Sequence, residues 1–226
     1  MTEKTVIAIT NVPLGASSEL GGIIEGMLEG ARAAGSQTAH FVITNGGDAR
    51  TMPETDCVTD AYTPESMSEL VERARRADQL ILGAAGAPRK PGSAFATFID
   101  VCYERSRWMS LADVSGTEAG GLGIRGGGDP RDLKFPVPTR PVSEEHTGVV
   151  VVAPPEDAPD HDDPFCEDSF FVLEELERLL GFMPSGRILS TGLFYPPLED
   201  NPILKQQAYE MGRRLAGAGA AGAPRE

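Results

Sequence analysis

The chain is 226 residues long, 40% hydrophobic, and carries a formal net charge of −14. That length and apolar content suit one α/β domain with a real core. The acidic balance excludes a nucleic-acid backbone or an anionic membrane as main partner, because both recruit clustered Lys and Arg.

From the N-terminus, the first expected element is an apolar strand, residues 5–10, followed by a loop rich in Gly and Ser. A helix comes next, with Leu20, Ile23, Ile24, Met27, Leu28 and Ala31 on one stripe and Gly35 as its stop. A loop of this kind delivers backbone N–H groups and hydroxyls to a helix N-terminus, a way of holding a phosphate without basic side chains. The alternative is that Ser17 or Ser18 is simply an N-cap. A second strand is expected at 38–43, and a helix opens at Thr63-Pro64, an N-cap followed by Pro at the first helical position, and runs to Ala77. The third strand spans 79–83 and the third helix 93–109, with Phe95, Phe98, Ile99 and Cys102 facing inward.

Residues 110–147, with TEAGGLGIRGGGDP and the Pro-rich KFPVPTRP, are too long and irregular for an ordinary connection and read as a lid, a dimer contact or a flap. A fourth strand at 148–153, a helix at 166–180, a fifth strand at 187–193 and a helix at 202–216 follow, and the low-complexity tail 217–226 is expected to fray. The strands are short, rich in Val, Ile and Leu, and show little polar alternation, as strands buried on both faces of a parallel sheet do. Their alternation with helices predicts a doubly wound α/β sheet with right-handed crossovers in a single domain over 1–216.

Several chemistries are set aside on the residues alone. Cys57, Cys102 and Cys166 are too few and too widely spaced for a disulfide framework or a four-thiolate cluster. Asp160, His161, Asp162, Asp163, Cys166, Glu167 and Asp168 are metal-ligand types, but their spacing fits no zinc or calcium loop; the segment reads as a solvated acidic loop entering a helix, and no metal is expected. His40, in a strand, and His146 and His161, in loops, have no local partners that identify a nucleophilic triad. GIRGGGDP lacks the Lys-Ser/Thr ending of a Walker loop. No run approaches the roughly 20 apolar residues that span a bilayer, and MTEKTVIAIT has no secretory pattern, so a cytoplasmic location is expected.

Three segments, ITNVPLGASSE, ADQLILGAAGAPRKPGSAFATFID and the C-terminal GFMPSGRILSTGLFYPPLEDNPILKQQAYEMGRRLA, carry a family likeness. In order and spacing the chain, apart from 110–147, resembles the flavodoxin-like NAD(P)H-dependent FMN reductases, including the iron–sulfur flavoprotein and quinone-reductase branches. The resemblance implies a five-stranded parallel sheet of order 2-1-3-4-5 with helices on both faces, and FMN as cofactor with NAD(P)H as reductant. It places Thr10, Asn11, Pro13, Gly15, Ser17 and Ser18 on the phosphate loop, Ala84, Ala85, Gly86, Ala87, Pro88 and Arg89 on the loop against the flavin ring, and Pro154 and Pro155 on the loop that closes over it. Backbone N–H groups of the 84–88 loop would address O4 and N5 of the ring.

The chain departs from the family pattern in three places. Ala84 to Pro88 replace a Ser-Pro-x-Tyr type of loop, so the aromatic stacking partner is missing; Glu19 stands where Thr is frequent; and of the cluster cysteines only Cys57 has a counterpart. Arg89 and Lys90 form a positive pair suited to the 2′-phosphate of NADPH, to a partner subunit's flavin phosphate, to an anionic substrate, or to solvent at a loop tip. The function implied is an FMN-dependent oxidoreductase passing a hydride or electrons from NAD(P)H to a quinone, flavin or other small organic acceptor, as a homodimer or higher homo-oligomer. The alternatives are a non-redox enzyme of cyclase or dehydratase type on the same scaffold and a flavin-binding electron carrier.

Overall fold

The structure, a computed structural model, describes residues 4–12, 18–43, 64–86, 94–110, 134–137, 143–153, 165–190, 198 and 201–217. In chain order the elements are β1 (Thr5–Thr10), α1 (Glu19–Ala33), β2 (Gln37–Val42), α2 (Pro64–Arg76), β3 (Gln79–Ala85), α3 (Ala94–Arg105) and β4 (Arg107–Ser110). They continue as β5 (Lys134–Val137), β6 (Ser143–Ala153), α4 (Phe165–Leu179), β7 (Phe182–Leu189) and α5 (Pro202–Gly217). Five strands form one parallel sheet in the order β2-β1-β3-β6-β7, while β4 and β5 pair antiparallel as a separate ribbon. Counting the sheet strands alone, this is the expected 2-1-3-4-5 arrangement.

Alternation along each strand divides the apolar residues between two cores. Ile7, Ile9, Leu80, Leu82, Val150 and Val152 meet Met67, Leu70, Phe95, Phe98, Leu173 and Leu176 from α2, α3 and α4. On the opposite face Val6, Ala8, Ile81, Val149 and Val151 meet Leu20, Ile23, Ile24 and Met27 of α1 and Leu204, Ala208 and Leu215 of α5. The chain order therefore winds helices onto both faces. Gly35, at φ +87°, accepts the left-handed turn that ends α1.

Four elements depart from the sequence-based expectation by more than one residue. The third helix stops at Arg105 rather than 109, because Ser106 turns the chain by donating both its N–H and its Oγ to the Tyr103 carbonyl, at 3.0 and 2.6 Å. Arg107–Ser110 is then strand. Strand β6 begins at Ser143, inside the segment read as an insertion, with register shifts between Ser143 and Thr147 and again after Gly148. Strand β7 covers Phe182–Leu189 instead of 187–193. As an edge strand it alternates exposed and covered residues, a pattern unlike the buried strands, and Pro184 removes one N–H from its ladder. Finally, β3 runs on to Ala85, pairing Ala84 with Val152 and Ala85 with Ala153. Ala84, expected in the loop after β3, is therefore a core side chain at the end of the strand.

The helices α1 and α5 approach through backbone. A Cβ on Gly30 would overlap the Tyr209 carbonyl oxygen, and one on Gly212 would overlap the carbonyl of Met27. Gly26 is different: its added methyl would meet only Ala208 Cβ, at 3.5 Å. Gly30→Ala and Gly212→Ala should each destabilise the protein by at least about 2 kcal/mol, since backbone cannot give way as a side chain does. Gly26→Ala should be neutral or stabilising by about 0.5–1 kcal/mol through helix propensity. Urea unfolding of the three variants checks the contrast.

A buried carboxyl lies between α4 and β6. Glu177 of α4 is fully buried, and among the described residues neither of its oxygens has a hydrogen-bond partner. It lies over Gly148, where any Cβ would overlap it. Burial, reinforced by the Glu174 charge and only partly opposed by Arg178 and Arg187, raises its pKa well above the ordinary Glu value. The native state thus keeps a proton that the unfolded chain releases, so the group's contribution is complete below its unfolded pKa and is lost as pH rises toward the raised folded value. Glu177→Met should raise the urea midpoint at pH 7.5, with a smaller gain at pH 5.

Candidate functional site

In an open parallel sheet the chain runs away in opposite directions where the strand order reverses, leaving a crevice at the carboxyl ends of the strands. Here the reversal falls between β1 and β3, with β2 on one side and β6 on the other. Three polar ties close the strand ends around that point.

The first tie lies beneath β1. Thr10 is fully buried; its hydroxyl donates to the Val12 carbonyl at 2.5 Å and stands 2.8 Å from Nε2 of His40. Burial lowers the His40 pKa to about 4, so the ring is neutral at physiological pH. The second spans the crevice: the Asn11 amide donates to the Ala85 carbonyl at 2.9 Å and accepts from the Ala85 N–H at 2.8 Å. The third joins β3 to β6 through the Gly86 N–H, which donates to the Ala153 carbonyl at 3.0 Å, while Ser169 Oγ of α4 donates to the Gly86 carbonyl at 3.5 Å. Gly86 has φ +75°, a turn of the backbone that suits glycine.

Helix α1 starts beside these ends. Ser18, with φ −139° and ψ 131°, is its N-cap, and its Oγ accepts from the Gly21 N–H at 3.0 Å. The cap alternative is therefore realised, but a hydroxyl that accepts still has its own proton to donate, so capping leaves Ser18 able to meet an anion. Glu19 is turned elsewhere: its carboxylate accepts from Ser190 Oγ just beyond β7. Gly83 lets the helix settle near the strand ends, since a Cβ there would come within 3.0 Å of Thr10 Cγ2 and 3.2 Å of Leu20 and Ile24 side-chain atoms.

Of the residues singled out from sequence, Thr10, Asn11, Ser18, Ala84, Ala85 and Gly86 are thus gathered at the carboxyl ends of β1 and β3. Pro13, Gly15, Ser17, Ala87, Pro88, Arg89, Lys90, Pro154 and Pro155 lie outside the described residues, as do Cys57, His161, residues 111–133 and the tail from 218. Cys102 is a buried thiol whose pKa burial pushes up, an inert core residue. His40 had no assigned role in the sequence. Its only signal there is a polar ring in an otherwise apolar strand ending, AHFVI.

No family model matches the chain, and no curated protein matches it in sequence. In fold it is similar to an FMN-dependent NADH-azoreductase from Bacillus anthracis str. Ames Ancestor, solved in complex with FMN, at TM-score 0.54 and 15% identity over 97% of this chain and 100% of that one. It is also similar to a flavone reductase, at TM-score 0.53 and 15% identity over 96% of this chain and 63% of that one. The chain therefore spans less than two thirds of the flavone reductase's length. Strand order and likeness together define a flavodoxin-like fold. Among the described residues no helix is long and apolar enough to cross a membrane.

The Asn11 side chain ties the carboxyl end of β1 to that of β3 across the switch point. Asn11→Ala should cost about 2 kcal/mol by losing two partly buried hydrogen bonds. Asn11→Asp should cost more at neutral pH, because one carboxylate oxygen would face the Ala85 carbonyl; urea unfolding of both variants reads the difference.

Proposed function

We propose that the protein is an FMN-dependent oxidoreductase that takes electrons from NAD(P)H and passes them to a small organic acceptor such as a quinone or a flavin. The observation that carries this reading is the start of α1 at the switch point. A fifteen-residue helix presents its positive end there, capped by a hydroxyl that retains a proton, with the carboxylate of the first helical residue, Glu19, tied to Ser190. Each feature favours a phosphate at that position. The fold shared with an azoreductase solved with FMN supports flavin mononucleotide as the source of the phosphate.

Ser18 and the first N–H groups of α1, together with residues 13–17, would hold the phosphate, and the chain from Gly86 onward would flank the ring. Bound flavin would supply the two-electron redox chemistry, so the protein's tasks are binding, orientation and exclusion of water. That division of labour agrees with the neutral His40 and the inert Cys102, neither of which is suited to nucleophilic or acid–base chemistry at neutral pH. The reading also takes the chain as one cytoplasmic domain that works as a homodimer or higher homo-oligomer.

The test combines a spectrum with a charge placed in the cradle. Purified protein mixed with FMN should quench flavin fluorescence and show absorption near ~370 and ~450 nm that NADH or NADPH bleaches. Ser18→Asp keeps a competent N-cap and hence the melting temperature. It should nevertheless weaken FMN by at least about ten-fold, or about 1.4 kcal/mol, while riboflavin, which has no phosphate, binds as before. A wild-type protein that quenches no FMN fluorescence refutes the reading; flavin that binds but is never bleached by either nicotinamide favours an electron carrier.

A further inference from the structure

Glu177 occupies the seam where α4 lies over β6 and β7. It is fully buried, and among the described residues neither carboxyl oxygen has a hydrogen-bond partner. Gly148 of β6 lies so close that an added Cβ would overlap Oε1. A neutral carboxyl tolerates such a place at the cost of lost hydrogen bonds, whereas an isolated carboxylate forfeits its whole hydration shell. The closed seam therefore suits only the protonated form.

The charged groups around Glu177 are engaged elsewhere or turned away. On its own helix Glu174 adds repulsion, and the half-exposed Arg178 reaches toward Glu174, at 3.9 Å. From β7, Arg187 is also taken by Glu174, with Nη2 2.9 Å from Oε2 and the guanidinium carbon 5.7 Å from the centre of the Phe170 ring. From β6, His146 packs edge-on to Phe182, and its buried Nδ1 has no partner among the described residues. Helix α3 also meets α4, but its Asp100, Glu104 and Arg105 are exposed; β3 has no charged residue, and its Leu80 and Leu82 join the apolar core there.

This seam is also the irregular margin of the sheet. β7 is an edge strand, Pro184 gives the ladder no N–H, and Ser185 is the extra residue between the Gly148–Pro184 and Val149–Gly186 pairs, its Oγ donating to the Gly148 carbonyl at 2.8 Å. β1, by contrast, is paired on both sides, with β2 and β3. A margin with an interrupted ladder can open without the rest of the fold.

We propose that Glu177 is an alkaline latch: the seam between α4 and the β6–β7 margin stays shut while its carboxyl holds a proton, and opens locally when hydroxide takes that proton and the carboxylate must reach water. The latch is independent of whether a flavin binds. Burial raises the pKa of the closed form, so the closed seam keeps a proton that the open one releases. From the ordinary carboxylate range up to that raised value, opening should become about ten-fold more favourable per pH unit, and above it the rise should stop.

Amide hydrogen exchange of the full chain from pH 7 to pH 9, corrected for the intrinsic pH dependence of exchange, tests the latch together with infrared spectra. At pH 7 the wild-type protein should show the carbonyl stretch of a protonated carboxyl, and Glu177→Gln should lack it. Amides in the second half of α4 and in β7 should be less protected than those of β1, and should lose about ten-fold in protection per pH unit for as long as that band persists. In Glu177→Gln and Glu177→Met the same amides should show no such slope. A slope that survives in both variants, the absence of a protonated carboxyl at pH 7, or seam amides that exchange only together with β1 overturns the proposal. Should neither variant fold, the wild-type band and the wild-type comparison of the seam with β1 decide it.

Discussion

The crossing of α1 and α5, backbone against backbone, is the constraint on which the candidate site depends. Gly22, Gly26 and Gly30 recur every four residues and so lie along one side of α1. Gly30 and Gly212 sit where any side chain would strike the other helix's main chain. The apolar stripe of Leu20, Ile23, Ile24 and Met27 faces the sheet. A helix held by a sheet on one side and by another helix's backbone on an adjacent side has lost its freedom to roll or slide. Its N-terminus is thereby fixed beside the strand ends, and the direction of its dipole with it.

That fixed direction matters to the proposed reading because, among the described residues around the start of α1, little else would attract an anion. The chain carries a net charge of −14, and its long-range field opposes negative ligands. Around the start of α1 the described polar groups cancel local negative charge rather than adding positive charge. Glu19 is tied to Ser190, the Val12 carbonyl to Thr10, and His40 is neutral. An anion site at this helix start would rely on short-range donors in fixed positions, which the salt screening of exposed charges leaves largely intact. Rigidity and electrostatics are then one requirement, since an N–H dipole favours an anion only when it points at it.

Local chemistry was legible, and long-range contacts were not. β1 is observed over the expected residues, every residue of the α1 stripe is buried, and the doubly wound sheet follows from alternation of strands and helices with right-handed crossovers, while its order 2-1-3-4-5 was implied by the family resemblance. The end of α3 was hidden because Trp108 and Met109 continue an apolar pattern that a helix or a strand can use; a single serine, Ser106, decides against the helix. β7 escaped for the opposite reason. Its alternation is that of an edge strand, and an expectation built on strands buried on both faces passes over Met183 and Ser185. The glycine spacing in α1 was visible but has meaning only opposite Gly212, which lies far along the chain. The same holds for His40 with Thr10 and Asn11 with Ala85, pairs separated by 30 and 74 positions.

Asn11 and Gly86 illustrate how frame and binding groups divide. Sequence position marks both for cofactor contact, yet the Asn11 amide is spent in both directions on Ala85, and the N–H groups of Ala85 and Gly86 are spent on Asn11 and Ala153. A backbone N–H already donating within the fold has no second proton for O4 or N5 of a flavin ring. On the proposed flavin reading, the backbone N–H groups of Ala85 and Gly86 are therefore not left to donate to the ring. The strand ends act instead as mutually satisfied anchors that set where two loops leave the sheet. Substitutions at Asn11 or Gly86 would then shift both chain exits together, whereas a substitution at Ser18 bears on the start of α1 alone.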